Sequence, residues 1–232
     1  MKGNGKKDLT AGLGLLAAFG VWTLLIRRID VRPIGPKGSS VGMAAFNGWF
    51  HRLTGVHMGL YTVTDWLGLV PIVICMGFGA LGLVQLIRRR RLWRVDADIL
   101  LLGAYYILVI AAYLFFEMVP INRRPVLIDG VLEASYPSST TLLVLSVMPT
   151  LAFQARRRFK SASAIRAATA FAALFSAFMV IGRLISGVHW ATDIIGSILL
   201  SAGLFALYRF AVMQADDSGA GFAEEGRNDG VQ

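Results

Sequence analysis

WLGLVPIVICMGFGALGLVQLI, residues 66–87, runs for 22 residues without a charged side chain and leads directly into four arginines, residues 88–91. A membrane-crossing helix needs about 20 mostly apolar residues, because each residue advances the helix by about 1.5 Å across a hydrocarbon layer about 30 Å thick. Basic residues directly after such a stretch are typical of the cytoplasmic side. We therefore interpret residues 66–87 as a transmembrane helix.

Five further stretches have a similar character, so the sequence predicts six membrane crossings. The six predicted spans are Leu9–Ile26, Trp66–Ile87, Ile99–Phe116, Ser138–Ala155, Ala167–Gly182 and His189–Phe210. Arg183 and Asp193 shorten the last two spans. Taken by themselves, these two spans are also compatible with core helices of a soluble protein. The composition favours the membrane: 56% of the 232 residues are hydrophobic, 16% are charged, and the mean hydropathy is +0.62. We expect an all-α integral membrane protein built as a six-helix bundle.

Two features of the first two spans bear on processing and cross-linking. Three lysines precede the first span, as in a secretory signal peptide. However, its apolar run is longer than a usual signal core, and Arg27-Arg28 follows it instead of a small-residue cleavage site, so we expect it to be retained. Cys75, the only cysteine, lies inside the second span, which excludes a disulfide within the chain and indicates no cysteine-based metal site.

The 23 basic residues are divided unevenly between the two sides of the predicted bundle. With the N-terminus inside, 15 of them fall on the cytoplasmic side and 8 on the outer side. Because cytoplasmic loops carry the excess of Lys and Arg, both termini are predicted to be cytoplasmic, in a multi-pass protein of the cell membrane. The Arg88–Arg91 run is compatible with nucleic-acid binding, but beside a span it is better explained as a topology anchor that meets anionic lipid. We expect no nucleic-acid partner, and the sequence does not determine the oligomeric state.

No internal repeat divides the chain, so residues 1–212 are predicted to form one membrane domain. Residues 29–65 connect spans one and two; their start is rich in Pro, Gly and Ser, as loops are. The later part mixes aromatic residues with His51, Arg52 and His57, which favours an outer amphipathic helix at the membrane interface. The polar, Gly-rich residues 213–232 are predicted to be a disordered cytoplasmic tail.

HWATD, residues 189–193, places two titratable side chains at the start of the sixth span. Ionisable groups in or beside a span are costly and are therefore functional candidates. His189 and Asp193 are four residues apart and share one helical face. A carboxylate there can orient the imidazole and stabilise its positive form, which leaves the other ring nitrogen free to attack an electrophile. A purely structural hydrogen bond between the two is the alternative.

Groups that bind anions are predicted on the same side of the membrane. Arg124 and Arg183 carry forked donors that suit a phosphate. Hydroxyls and free helix amides at the start of the fourth span offer a second anion site, formed by Ser138, Ser139 and Thr140. Taken one at a time, these residues have simpler explanations: the arginines could contact lipid headgroups, and the hydroxyls could cap a helix. Together they favour a phosphate held beside His189, whose ring is positioned to attack the phosphorus.

The spacing of these residues resembles a known family. Arg183, His189 and Asp193, with five and then three residues between them, resemble the third motif of the type 2 phosphatidic acid phosphatase superfamily of six-span membrane lipid phosphatases. Arg124-Pro125 resembles the end of the first motif, and residues 137–140 stand where the second belongs. The resemblance covers about residues 117–200.

The resemblance implies hydrolysis of a phosphorylated lipid, a phosphate or diphosphate, and the predicted topology places this site on the outer side of the membrane. It implies that His189 forms a phosphohistidine, that Asp193 assists it, and that Arg124 and Arg183 bind the phosphate. Residues 138–140 would hold phosphoryl oxygens. No metal or other cofactor is implied.

The chain departs from the family pattern and resembles a divergent bacterial branch with degenerate first and second motifs. Glu117 stands where the first motif has lysine, and Gly182 stands where serine precedes the third-motif arginine. Ser139 and Thr140 replace the glycine and histidine of the second motif. That histidine is the family's general acid, which protonates the leaving group.

The missing acid predicts a preference among substrates. General acid catalysis is worth about 10²–10⁴-fold, and a threonine hydroxyl is too weak an acid to supply it. A phosphate leaving group needs far less protonation than an alkoxide, so we expect lipid diphosphates, such as a polyprenyl diphosphate, to be preferred over monoesters such as phosphatidic acid. Two alternatives stay open: Glu117 replaces the lost acid, or the chain is a catalytically impaired relative that binds or transports a phosphorylated lipid.

Overall fold

The computed structural model describes residues 2–228, and these residues are predominantly helical. Within them lie eight α-helices: α1 (Lys2–Arg28), α2 (Ala44–Thr54), α3 (Met58–Leu67), α4 (Leu69–Arg89), α5 (Ala97–Met118), α6 (Ser139–Arg158), α7 (Ala162–Ile185) and α8 (Ala191–Asn228). In this part of the chain β-structure is limited to isolated bridges, such as that between Arg123 and Ala134. The predicted all-α fold is confirmed.

Five helical stretches among the described residues are long and apolar enough to cross a membrane. They are α1 from Gly5, the consecutive pair α3–α4, α5, α7, and α8 as far as Ser218. The second span therefore begins at Met58 and not at the predicted Trp66. The charge of Asp65 had set the predicted boundary, but Asp65 can lie within the helix because its Oδ1 is 3.3 Å from Nη2 of Arg183 on α7.

The remaining predicted span, the fourth, is α6, which is less apolar than the other five. It contacts α4, α5, α7 and α8, and nine of its residues are buried. A helix enclosed by other helices can carry polar side chains, since its neighbours supply hydrogen-bond partners. The hydroxyls of Tyr106 on α5 and Thr150 on α6, for example, are 2.7 Å apart. The six-helix bundle thus agrees with the prediction.

The segment between the first two spans contains the predicted amphipathic helix as α2. Ala44 and Asn47 on one face are buried, whereas Phe46, Trp49 and Leu53 are exposed. Exposed aromatic and aliphatic side chains on a short helix beside the spans are typical of an interfacial position. The buried face holds α2 against the start of α8, where Asn47 Nδ2 donates to Thr192 Oγ1 at 2.9 Å.

The two ends of the bundle carry different polar clusters. One end of the bundle contains α2, the loop of residues 119–138 and the turn of residues 186–190, and we call it the site end. At the opposite end, Asp98 of α5 pairs with Arg157 and Arg158 of α6 at 3.2 and 2.9 Å. These ion pairs connect α5 to α6 at the end of the bundle that carries the basic runs, residues 88–91 and 156–158. The topology prediction is based on those runs.

The last helix is longer than the predicted span. α8 continues from Ala191 through Asn228. The tail predicted as disordered, residues 213–232, therefore overlaps the end of this helix, where Asp216 accepts a hydrogen bond from Arg157 Nη1 at 2.8 Å. Residues 229–232 of that prediction lie outside the described residues.

Candidate active site

His189 lies in the turn of residues 186–190, between the spanning helices α7 and α8. Gly187 makes this turn possible: its φ is +71°, and a Cβ there would overlap the carbonyl oxygen of Gly55. Glycine adopts such a conformation without the steric cost that other residues incur. The turn brings the ring of His189 inward, where it is only 3% exposed.

The hydrogen bonds of the His189 ring indicate which nitrogen carries the proton. Nδ1 is 3.1 Å from the carbonyl oxygen of Ser135. A carbonyl oxygen can only accept, so Nδ1 must donate its proton to it. Nε2 lies 3.5 Å from Nη1 of Arg124, and a guanidinium can only donate. Nε2 is therefore the nitrogen with the free lone pair, as a nucleophile requires.

The surroundings of His189 also favour its neutral form. Burial holds the pKa of His189 well below its ordinary value of 6.5, and the positive charges of Arg124 and Arg183 lower it further. Both effects act against the protonated ring, which is the form that cannot attack phosphorus. Of the two forms, the neutral imidazole is the one whose Nε2 can attack phosphorus.

Asp193 lies beside the ring, but its nearest partners are other groups. Its Oδ2 is 3.8 Å from His189 Nδ1, within reach of a charge interaction but beyond a hydrogen bond. Oδ2 accepts from the backbone nitrogen of Trp190 at 2.9 Å, and Oδ1 accepts from Asn122 Nδ2 at 3.3 Å. The sequence predicted that Asp193 orients the ring. In the structure the direct hydrogen bond to Nδ1 is made by Ser135, and Asp193 shapes the turn that carries the ring.

Two buried asparagines fix the position of this turn, and we call them the asparagine clamp. Asn122 Oδ1 accepts from the backbone nitrogen of Gly42 at 3.1 Å, while its Nδ2 donates to Asp193. Asn47 Nδ2 donates to the Gly42 oxygen at 2.8 Å and to Thr192 Oγ1 at 2.9 Å. Both side chains are at most 2% exposed. The clamp ties the segment before α2 to the first turn of α8.

A cavity of about 160 Å³ opens beside the His189 ring. Its lining includes predicted groups and groups that the sequence did not indicate: Tyr113, Phe116, Glu117, Arg124, Glu133, Ala134, Ser135, Tyr136, Pro137, Ser139 and His189. Arg124 is buried, and its Nε is 2.9 Å from Oε2 of Glu133. Arg124 therefore stands between the nucleophilic nitrogen and a carboxylate.

Arg183 is buried next to this cavity, and its partners lie on α3 and α6. Its Nη2 donates to Thr140 Oγ1 at 2.6 Å, and its Nη1 donates to Thr64 Oγ1 at 3.4 Å. The guanidinium also lies over the ring of Tyr61, 4.9 Å from the ring centre. Thr140 thus accepts a hydrogen bond from the arginine at the position where the family has its acidic histidine.

The first turn of α6 adjoins the cavity. Ser139 lines the cavity, and α6 has no hydrogen bond from a capping side chain. Ser138 is fully buried, and its hydroxyl donates to Thr141 Oγ1 at 3.0 Å, so that hydroxyl is occupied within the protein. Uncapped amides in the first turn of a helix attract anions. Of the predicted hydroxyls, Ser139 is the one that lines the space beside His189.

The structure thus brings His189, Arg124 and Ser139 to one cavity, and it places Asp193, Arg183 and Thr140 around them. Sequence reasoning missed Ser135, Glu133 and the asparagine clamp. The only available signal was Asn47, a single polar residue between Phe46 and Gly48, and that signal is weak. Asn122 stands beside Arg123 and Arg124, so it gave no such signal. Glu117 does line the cavity, as its candidate role requires.

Six bundled helices, with a buried histidine and two buried arginines at one end, define an integral membrane protein whose polar cavity lies at that end of the bundle. The chain belongs to the PAP2 superfamily, whose family model matches residues 74–216, more than half of its length. The resemblance drawn from the three motifs is therefore confirmed. The comparison with curated proteins gave no significant match.

Among solved structures, the chain resembles the crystal structure of the first transmembrane PAP2-type phosphatidylglycerolphosphate phosphatase from Bacillus subtilis. The TM-score is 0.57, and the match covers 89% of this chain and 96% of that one. Because the identity is 17%, this similarity shows a common fold and no more. The fold match covers a larger share of the chain than residues 74–232 can supply, so it includes residues before position 74.

Proposed function

We propose that this protein is a membrane-embedded phosphohydrolase of lipid phosphates and diphosphates that acts through a phosphohistidine at His189. The observation that carries the proposal is the hydrogen bonding of the two nitrogens of the His189 ring. Nδ1 is held by the Ser135 carbonyl, and Nε2 has a lone pair directed toward Arg124 beside a cavity. A purely structural histidine has no need of an arginine at its free nitrogen.

The neighbouring groups have complementary roles in the proposed attack. Arg124 and the first amides of α6 hold phosphoryl oxygens and stabilise the charge that develops on them in the transition state. Arg183 adds a second positive charge next to the cavity. Its guanidinium is oriented by hydrogen bonds to Thr140 and Asp65. When Nε2 bonds to phosphorus the ring becomes positive, and Asp193, 3.8 Å from Nδ1, stabilises that charge.

An apolar groove beside the cavity supports a lipid substrate. Its volume is about 510 Å³, and side chains of α3–α4, α5 and α6 line it, among them Leu69, Ile72, Val109 and Leu142. Tyr113 and Ser139 line both this groove and the His189 cavity. A hydrocarbon chain in the groove would therefore place an attached phosphate next to the nucleophile.

The charge distribution supports an outward-facing site. The basic runs at residues 88–91 and 156–158 lie at the end opposite His189. If this end is cytoplasmic, as the excess of basic residues indicates, both termini are inside and the site meets lipids of the outer leaflet.

We further propose a preference for lipid diphosphates, since Thr140 stands in place of the general acid and accepts a hydrogen bond from Arg183. The test is phosphate release by the purified protein from a polyprenyl diphosphate and from phosphatidic acid, with His189→Ala as the control. The expected result is faster release from the diphosphate and none above background for the variant. Equal or faster turnover of phosphatidic acid would defeat the preference.

A further inference from the structure

The proposed function leaves open which group protonates a lipid alkoxide as it leaves, and the following inference rests on that function. The other two histidines of the chain are engaged elsewhere. His51 Nε2 lies 3.1 Å from the Gly187 oxygen, and His57 Nε2 lies 2.9 Å from the Thr54 oxygen. Neither residue lines the cavity beside His189. No histidine of the chain therefore takes the place of the missing acid.

The remaining acids of the cavity are two tyrosines and two glutamates. The hydroxyl of Tyr136 is 2.7 Å from Thr23 Oγ1, and burial raises the pKa of Tyr136 above its ordinary value. Tyr113 is a phenol, and phenols are weak acids at neutral pH. The carboxyl groups of Glu117 and Glu133 are the better candidates on chemical grounds.

Position separates the two glutamates. Glu133 Oε2 is 2.9 Å from Arg124 Nε, and Nη1 of the same guanidinium is 3.5 Å from His189 Nε2. One guanidinium therefore separates Glu133 from the attacking nitrogen. Glu117, at the end of α5, is exposed, and it forms no ion pair among residues 5–218, whose side chains the structure describes.

We propose that Glu133 is the proton donor for lipid monoesters at this site. Lipid diphosphates, whose leaving group departs without a proton, remain the preferred substrates. In the first step, Nε2 of His189 bonds to phosphorus while the bond from phosphorus to the lipid oxygen breaks. That oxygen takes the Glu133 proton and leaves as an alcohol. In the second step the Glu133 carboxylate takes a proton from water, whose oxygen bonds to phosphorus as the phosphorus–Nε2 bond breaks and returns its electron pair to the ring.

Substrate binding prepares Glu133 for this role. In the structure the Glu133 carboxylate pairs with Arg124, which is also the arginine proposed to bind the phosphate. A phosphate that takes over the guanidinium leaves the carboxyl group of Glu133 beside the phosphoryl oxygens, which is where a proton donor has to act. The Glu133 side chain is 38% exposed, so water can reach it for the second step.

The test is the single-turnover rate of leaving-group release, which reports the first step alone. The protein in excess is mixed with phosphatidic acid, p-nitrophenyl phosphate or a polyprenyl diphosphate. For Glu133→Gln we expect release of the lipid alcohol to slow by about 100-fold or more, the usual worth of a general acid. Release of nitrophenolate and of the prenyl phosphate should stay near the wild-type rates, because these groups leave without a proton.

Two further variants complete the experiment. Asp129→Asn removes the same charge from an exposed position of the same loop and should leave all three rates unchanged. If Glu133→Gln slows release from all three substrates equally, Glu133 only positions Arg124 and the proposal is overturned. The proposal is also overturned if Glu117→Gln, and not Glu133→Gln, selectively slows release of the lipid alcohol. A wild-type protein inactive on all three substrates would instead overturn the proposed function itself.

Discussion

His189 is held between two groups of opposite hydrogen-bonding character. The Ser135 carbonyl accepts at Nδ1 and the Arg124 guanidinium faces Nε2, so a single tautomer suits both contacts. The same arginine discourages protonation of the ring. The sequence could predict the histidine, because the spacing to Arg183 and Asp193 is local. It could not predict Ser135, which lies 54 residues away and reaches the ring only through the path of the loop 119–138.

The lowered pKa of His189 leads to a pH prediction. The neutral ring is the attacking form, and a lower pKa keeps it neutral at lower pH. We expect kcat/KM for a lipid diphosphate to hold as the pH falls from neutrality to 6.5, the ordinary histidine value, and to decline only below it. Removing one positive neighbour with Arg124→Gln should shift this decline to higher pH on the same substrate. A wild-type decline centred at or above 6.5 would contradict the electrostatic account.

At the scale of elements, the site is assembled by α2, the loop 119–138 and the start of α8. The long apolar helices were predictable because each carries its own signal of length and hydropathy. The asparagine clamp was not, since Asn47 and Asn122 bond to Gly42 and to α8, at distances in sequence of up to 145 residues. α6 shows the same dependence on distant residues, since Thr150 contacts Tyr106 on α5 and Gln154 donates to Tyr208 on α8.

Removing the hydrogen bonds of the asparagine clamp should make the position of His189 less fixed without altering any residue that lines the cavity. Asn47→Leu leaves the Gly42 oxygen and Thr192 Oγ1 without their donor, and each unsatisfied buried group costs about 1–3 kcal/mol. We expect a lower unfolding temperature in detergent and a fall in kcat of about 10–100-fold, because displacing the nucleophile by about 1 Å can cost that much. Arg52→Gln, on the exposed face of α2, serves as the matched control. Unchanged stability and kcat in Asn47→Leu would show that the clamp is dispensable.

At the scale of the whole molecule, one end of the bundle holds the phosphate site and the other holds the basic runs and the ion pairs of Asp98. This polarity is what the positive-inside rule requires of a protein whose site faces away from the cytoplasm. The sequence could predict the separation of the two ends, because the order of spans alone assigns each loop to a side. The groove and the cavity depend on packing between α3–α4, α5 and α6 and could not be read from any one segment.

The orientation can be tested because the chain has a single cysteine. On a Cys75→Ala background, Ser40→Cys places a thiol at the site end and Lys160→Cys places one at the opposite end, both at exposed positions. In intact cells we expect a membrane-impermeant maleimide to label Ser40→Cys and not Lys160→Cys. The reverse pattern would place the site in the cytoplasm and invert the proposed topology.

The central claim is that His189 becomes phosphorylated during turnover, and it is tested by trapping the intermediate. Protein is mixed with a lipid diphosphate radiolabelled in its terminal phosphate, quenched rapidly and analysed for bound label. We predict acid-labile, base-stable label that maps to His189 in the wild type and is absent from His189→Ala. Bound lipid with neither label nor released phosphate would contradict the account and identify a protein that binds phosphorylated lipids without hydrolysing them.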